Sequence, residues 1–329
     1  MNILYIIGNG LDIAHHMKTS YQDFFKYYLS QTSVDGDIMA MKEDIDSHRY
    51  ETWADLEIGM GVYASECANK SVFLKCLADI KTNLKEYLKK ESEKIGLYKI
   101  SSLSSFYNPG QFLDPEPRNR YDEWRRSKSA GSSINVMTLN YTSTLEKLLG
   151  FKGETLNYSH SIMLNSINHI HGTLDDNMMV MGVNDSSQIA NAGFSTDLDV
   201  VEEFVKPEYN DACMNNKNGI GETLIQNADV IVIYGASLGL SDDRWWKLIG
   251  NKMQSNNPPL LVYLPYDEKK DQTATPNHLR RWTFDYINEI RDKFGIQQID
   301  EKVLESRICV ALNKRLFQIS KVSQQNNKS

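Results

Sequence analysis

Residues 5–12 read YIIGNGLD, and the organisation of the whole chain hangs on them. Ile3–Ile7 is a run of β-forming residues that is apolar on both faces, as in a strand buried between two layers. Gly8 and Gly10 then allow backbone angles closed to other residues and a close approach to the main chain. A strand, a glycine turn and a helix together can point backbone N–H groups at an anion such as a pyrophosphate. The dinucleotide fingerprint GxGxxG stops short here, because Ile13 stands at the third glycine. The stretch by itself therefore fits a phosphate cradle and a ligand-free tight turn equally well.

The rest of the chain favours a fold in which such a tip matters. Strand-like runs recur at 134–138, 168–171, 230–234 and 260–264, with helical patterns between several of them. That alternation predicts an α/β protein, Rossmann-like, with a mostly parallel sheet flanked by helices. A large helical insertion follows the first strand. Its clearest member carries Phe73, Leu77, Ile80, Leu84, Tyr87 and Leu88 at steps of three and four. Ser20 with Asp23 can cap an earlier helix, residues 51–68 offer another, and Ser143 with Glu146 forms a capping-box pattern that Gly150 would end. Residues 101–133 read as a loop-rich connector, and two helices are expected near 275–293 and 300–321, followed by a frayed polar tail. The expected division is a core of residues 1–17 and 134–329 and an insertion of 18–133.

The 329 residues carry a formal charge of −7, which disfavours a nucleic-acid binder with a broad basic surface. Cys67, Cys76, Cys213 and Cys309 are dispersed without a CxxC pair, so no zinc ribbon is expected and the thiols read as reduced. No signal peptide or apolar span of about 18 residues is seen, which reads as a cytoplasmic protein without a membrane partner.

In an open parallel sheet, ligands bind beyond the carboxyl ends of the strands. Those ends carry Gly8-Asn9-Gly10-Leu11-Asp12, Asn140 after Thr138, His169-Ile170-His171-Gly172, and Gly235-Ala236-Ser237 leading to Ser241-Asp242-Asp243. Each has a structural alternative: Asn140 can cap a helix, His171 can be a bonded core histidine, and the aspartates can begin a helix. Together they mark a candidate site.

These residues also carry a resemblance. IIGNGLDIAHHMKTSYQDF (6–24) is similar to the signature of the AbiH family of bacteriophage abortive-infection proteins. The likeness continues through ETWADLE, TLNYTSTLE, HIHGTL, MGVND and YGASLGLSDDRWW, with Ala236 where the family often has histidine. More distantly, the order of glycine loop, T-x-N, H-G and G-A-S-L resembles the sirtuin-like NAD-binding fold. That resemblance implies that Gly8, Asn9, Gly10, Asp12, Gly172, Gly235 and Ser237 hold NAD as substrate, and that Asn140 and His171 act on the nicotinamide ribose. Leu139, Thr142 and Asp12 depart from the sirtuin pattern, and the zinc-binding cysteines of the deacylases have no counterpart. An NAD glycohydrolase therefore fits better than a deacylase. Expected partners are NAD or a related nucleotide and an unknown phage trigger, with room for a homo-oligomer.

Cleavage of the nicotinamide–ribose bond needs a base or water-placing group, and a histidine with its ordinary pKa of about 6.5 suits that task. Asn140 would fix a hydroxyl or the water. Asp12 or an acid from the insertion, such as Glu57, would stabilise positive charge on the ring. Two other classes stay open. A metal-dependent nuclease would use Asp12, Asp185, Asp242 and Asp243 as oxygen ligands, and a sensor would bind a nucleotide without turnover.

Overall fold

The strand β1 (Asn2–Ile7) lies in the middle of a seven-stranded sheet, and the other strands are arranged around it. In a computed structural model, residues 1–127, 131–159, 162–175, 178–267, 275–297, 304, 306–312 and 314–321 are described. Among them the further strands are β2 (Tyr98–Ser102), β3 (Ser132–Thr138), β4 (Leu156–Ser159), β5 (Ile162–His169), β6 (Val230–Tyr234), β7 (Leu260–Leu264), β8 (Ile308–Val310) and β9 (Gln318–Lys321). The sheet order is β4-β5-β3-β1-β6-β7-β8, parallel throughout except for β4, while β2 and β9 pair antiparallel in a separate ribbon. The α/β class and the parallel sheet are as the sequence predicted.

Side chains alternate across the central strands, so each strand feeds two cores. Ile3, Tyr5, Ile7, Val232 and Val262 face one side with Phe106, Leu113, Tyr121 and Phe317. Leu4, Ile6, Ile231, Ile233 and Leu261 face the other, with Trp245, Trp246, Ile249 and Phe294. This explains why the runs are apolar at every position.

Helix α1 (Gly10–Ala14) follows β1 directly, and α2 (Tyr21–Ser30), α3 (Gly36–His48), α4 (Leu56–Tyr63) and α5 (Lys70–Ser92) build a third core. Ser20 caps α2 by accepting the Asp23 amide, as its sequence suggested. Next come α6 (Ser104–Tyr107), α7 (Pro115–Ser127) and α8 (Thr144–Leu149). Phe106 and Tyr121, from α6 and α7, lie under the sheet, in a segment read from sequence as a loop-rich connector. Then come α9 (Leu198–Phe204), α10 (Lys206–Ala212), α11 (Lys217–Asn227), α12 (Asp243–Met253) and α13 (Pro276–Phe294). Met179, Met181, Val183, Val200 and Phe204 pack with the helices α2–α5, although the chain has by then returned to the sheet.

Three local expectations change. Of the helix expected over 300–321, only Leu304, Ser306 and Arg307 are helical where described, and β8 and β9 follow; the tail beyond 321 lies outside the described residues. The helix expected over 51–68 shortens to one 3-10 turn at 52–54 and α4. Ser143 makes no side-chain cap on α8, although Gly150 does end it in a left-handed turn at φ 65°.

A cavity at the strand ends

Register brings the strand tips level. Ile7 pairs with Thr138 on one side and with Tyr234 on the other, Thr138 pairs with His169, and Tyr234 with Leu264. The residues that follow these positions therefore emerge at one edge of the sheet. They line a cavity of about 860 Å³, within the size range of small-ligand sites. Gly8, Asn9, Gly10, Asp12, Asn140, His171, Gly235 and Ser237 all contribute to its wall. The helical layer closes it with Tyr21, Asp55, Glu57, Leu84 and Leu88, and Tyr263 and Tyr286 line it from the other side. Gly172 is not among the lining residues; it turns the chain just behind His171, at φ 74°.

The glycines have a packing cause that the sequence does not reveal. Gly8 donates its amide to the Tyr234 carbonyl at 2.9 Å, and Gly10 donates to the Gly235 carbonyl at 2.7 Å. Those two N–H groups are thereby used within the protein. A methyl group on Gly10 would lie 2.5 Å from the Gly235 Cα, and one on Gly8 would lie 2.7 Å from the Ala236 Cα. The loops after β1 and β6 thus meet backbone to backbone, which demands glycine. Asn9 is likewise tied: its amide donates to the Thr19 carbonyl at 2.7 Å, and its Oδ1 accepts from the Thr19 hydroxyl at 2.6 Å. Ser237 is exposed at the cavity.

Three neighbouring side chains in the wall are different. Asp12 Oδ1 and Asn140 Nδ2 are buried atoms without a hydrogen-bond partner among the described residues, and the buried His171 Nε2 lies 3.1 Å from Asp242 Oδ1. Their residues are 1%, 7% and 3% exposed. Asp12 accepts through its other oxygen from the Thr142 hydroxyl at 2.6 Å. Burial pushes its pKa up to about 6, against the pull of hydrogen bonds from Thr142 and Thr144. Asn140 caps no helix; its backbone N–H donates to Thr138 and its carbonyl accepts from His169.

Behind His171 lies an ionic cluster that sequence reasoning did not find. Lys206 Nζ donates to Glu57 Oε2 at 2.8 Å, to the Ser241 carbonyl at 2.9 Å and to Asp242 Oδ1 at 3.0 Å. Glu57 Oε1 also accepts from the Gly182 amide and the Tyr141 hydroxyl. Burial works against Asp242 ionising, but Lys206 and His171 outweigh it and hold the carboxyl well below its ordinary pKa. Burial would likewise discharge Lys206, yet Asp242 and Glu57 raise its pKa and keep the ammonium. Burial raises the pKa of Glu57 despite Lys206. Both Glu57 oxygens are thus engaged within the protein.

Of the four aspartates considered as nuclease ligands, Asp12 and Asp242 line the cavity. Asp185 caps the one-turn helix at 186–188, and Asp243 opens α12. Among the described residues, no group of three or more His, Cys, Asp or Glu side chains is arranged to hold a metal ion. Nor is any described helix long and apolar enough to cross a membrane.

Fold and cavity together define an open, Rossmann-like α/β protein with a cavity at the carboxyl ends of its parallel strands, where such folds bind ligands. The family model for bacteriophage abortive infection AbiH matches residues 4–263, and the chain belongs to that family. An antiphage abortive-infection role follows from this membership. No curated protein matches the chain.

Proposed function

We propose that the protein stops phage propagation as an enzyme, by hydrolysing NAD to nicotinamide and ADP-ribose in this cavity. The observation that supports it is the pair of unmet buried atoms on Asp12 and Asn140 in a cavity wall that also carries His171. Buried polar atoms are nearly always bonded, and leaving one unmet costs roughly 1–3 kcal/mol. A carboxylate acceptor, an amide donor and an imidazole nitrogen form a set suited to sugar hydroxyls and a water molecule.

In this reading Asn140 holds a ribose hydroxyl or the water. His171 takes the proton of the attacking water, whose oxygen bonds to the anomeric carbon. The bond to nicotinamide breaks and its electron pair leaves with the ring nitrogen, which is neutralised. Asp12 opposes the positive charge that builds on the sugar, as carboxylates do in glycoside hydrolysis. The loops carrying Gly8, Asn9, Gly10, Gly235 and Ser237 flank the remainder of the dinucleotide, and Gly172 sets the turn that presents His171.

The test is NAD content in cells expressing the wild type or His171→Ala, with and without phage challenge, since a defence enzyme must be silent before infection. A fall in NAD that requires His171 is expected. Growth arrest with NAD unchanged would overturn the reading.

A further inference from the structure

The imidazole of His171 meets a carboxylate. Its Nε2, a buried atom, lies 3.1 Å from Asp242 Oδ1, and its contact helps to keep Asp242 ionised. An ionised carboxylate accepts hydrogen bonds and donates none, so the ring nitrogen that faces it is the one that carries the proton. We infer that Asp242 is a positioning residue: it fixes the neutral His171 ring with its proton on Nε2, so that the lone pair which takes a proton from water is on Nδ1. That His171 acts on water rests on the NAD-hydrolase reading, whereas the protonation pattern of the ring does not.

Asp242 suits this task because it stays charged although buried. Lys206 Nζ donates to the same Oδ1 at 3.0 Å, and is itself held by Glu57 Oε2 at 2.8 Å and the Ser241 carbonyl at 2.9 Å. One carboxylate oxygen has lone pairs enough for the ammonium and the imidazole together. Asp242 also stands immediately before α12, where the helix dipole favours negative charge. The histidine is fixed from its own side as well. Its carbonyl accepts from the Val180 amide at 2.8 Å, and the Val180 carbonyl accepts from the Tyr141 hydroxyl at 3.0 Å. The Tyr141 ring lies 6.3 Å from the imidazole, centre to centre. His171 lines the cavity, and with Nε2 committed to Asp242 the nitrogen left for a ligand is Nδ1. Buried carboxylates orient working imidazoles in this way on unrelated folds.

The wild-type protein tests the first half without any variant. With histidine nitrogens labelled with 15N, the His171 signals are those lost in His171→Gln. In the neutral ring, correlation of the carbon-bound protons with both nitrogens is expected to show Nε2 protonated and Nδ1 bare. A neutral His171 with its proton on Nδ1 would overturn the inference. Asp242→Asn removes the anion but leaves Lys206 on Glu57 and the Ser241 carbonyl. The new amide can turn its NH2 towards Nε2, and the proton is then expected to move wholly or partly to Nδ1. An unchanged ring pattern in Asp242→Asn would show that the carboxylate does not set it.

A kinetic arm completes the test, on protein purified from phage-challenged cells. Asp242→Asn is expected to lower kcat for nicotinamide release by about 10²-fold or more with KM little changed, because the base is lost while substrate binding is kept. A kcat within about twofold of wild type would overturn the positioning role. If the wild type itself releases no nicotinamide, the hydrolase reading fails, while the spectra still decide whether Asp242 fixes the ring.

Discussion

His169 and His171 stand two residues apart at the tip of β5, and their surroundings could hardly differ more. On the side of α8, His169 has both ring nitrogens engaged, with the Asn140 carbonyl at 2.8 Å and Glu146 Oε1 at 2.5 Å. On the cavity side, His171 Nε2 lies 3.1 Å from Asp242 Oδ1, in a wall that also holds unmet atoms on Asp12 and Asn140. Burial alone would lower the pKa of His169, but hydrogen bonding and charge from Glu146 raise it instead. The contrast separates a histidine that joins elements from one held ready for something else. Both nitrogens of His169 are used up in holding elements together, whereas the unmet atoms of Asp12 and Asn140 sit on residues that line the cavity.

Exchanging the two histidines' fates is the most direct way to break that comparison. His171→Ala is expected to lower nicotinamide release by roughly 10²–10⁴-fold, and Asn140→Ala should act in the same direction. His169→Ala should do the opposite, costing about 3 kcal/mol in denaturant unfolding because Glu146 loses its partner. If His169→Ala destroyed activity at full stability, the assignment of roles would be reversed. The His169 contribution also has a pH signature. Its folded pKa lies above the unfolded value, so the stabilisation is complete below pH about 6.5 and fades as pH rises through the folded pKa. The stability gap between wild type and His169→Ala should therefore narrow in alkaline buffer.

The same contrast explains what could be read in advance. β1, β3, β6 and β7 were legible because central parallel strands are apolar on both faces, and their level tips made the candidate residues neighbours. β5 was legible only at its end: IMLNSINH lies nearer the sheet edge, is mostly half-buried and carries polar residues that hide the pattern. β8 and β9 are three and four residues long, too short for periodicity to tell them from a helix. The capping pattern at Ser143 misled because Glu146 is taken by a histidine 23 residues away. Lys206 gave no local sign beyond a lysine between Val205 and Pro207. Its burial depends on Glu57, 149 residues distant, and on Asp242, 36 residues distant.

Asp12 sharpens the comparison from the acid side. Its folded pKa of about 6 lies above the ordinary value of 3.8. The folded protein then binds the proton more tightly than the unfolded chain, and stability falls as pH rises between those values. Above pH 6 the whole penalty is present, about 2–3 kcal/mol for a group this buried. Asp12→Asn retains an acceptor for Thr142 and removes the charge. It should raise the unfolding free energy by about that amount at pH 7.5 and bring no gain at pH 4. A gain that persisted at pH 4 would mean that the carboxylate is not under strain from burial.

Thr142→Val is the smallest change and tests whether Asp12 is partly satisfied by its surroundings. The Thr142 hydroxyl donates to Asp12 Oδ2 and accepts from Thr144 at 3.1 Å. Removing it deprives the carboxylate of the bond that holds its pKa down. The pH below which acid begins to stabilise the protein should then move upward, with a loss of about 1 kcal/mol at pH 7.5. In the Asp12→Asn background that loss should shrink, since the hydroxyl then faces a neutral amide. Equal losses in both backgrounds would show that Thr142 supports the loop after β3 by packing, and that Asp12 keeps its unmet oxygen without help from this hydroxyl.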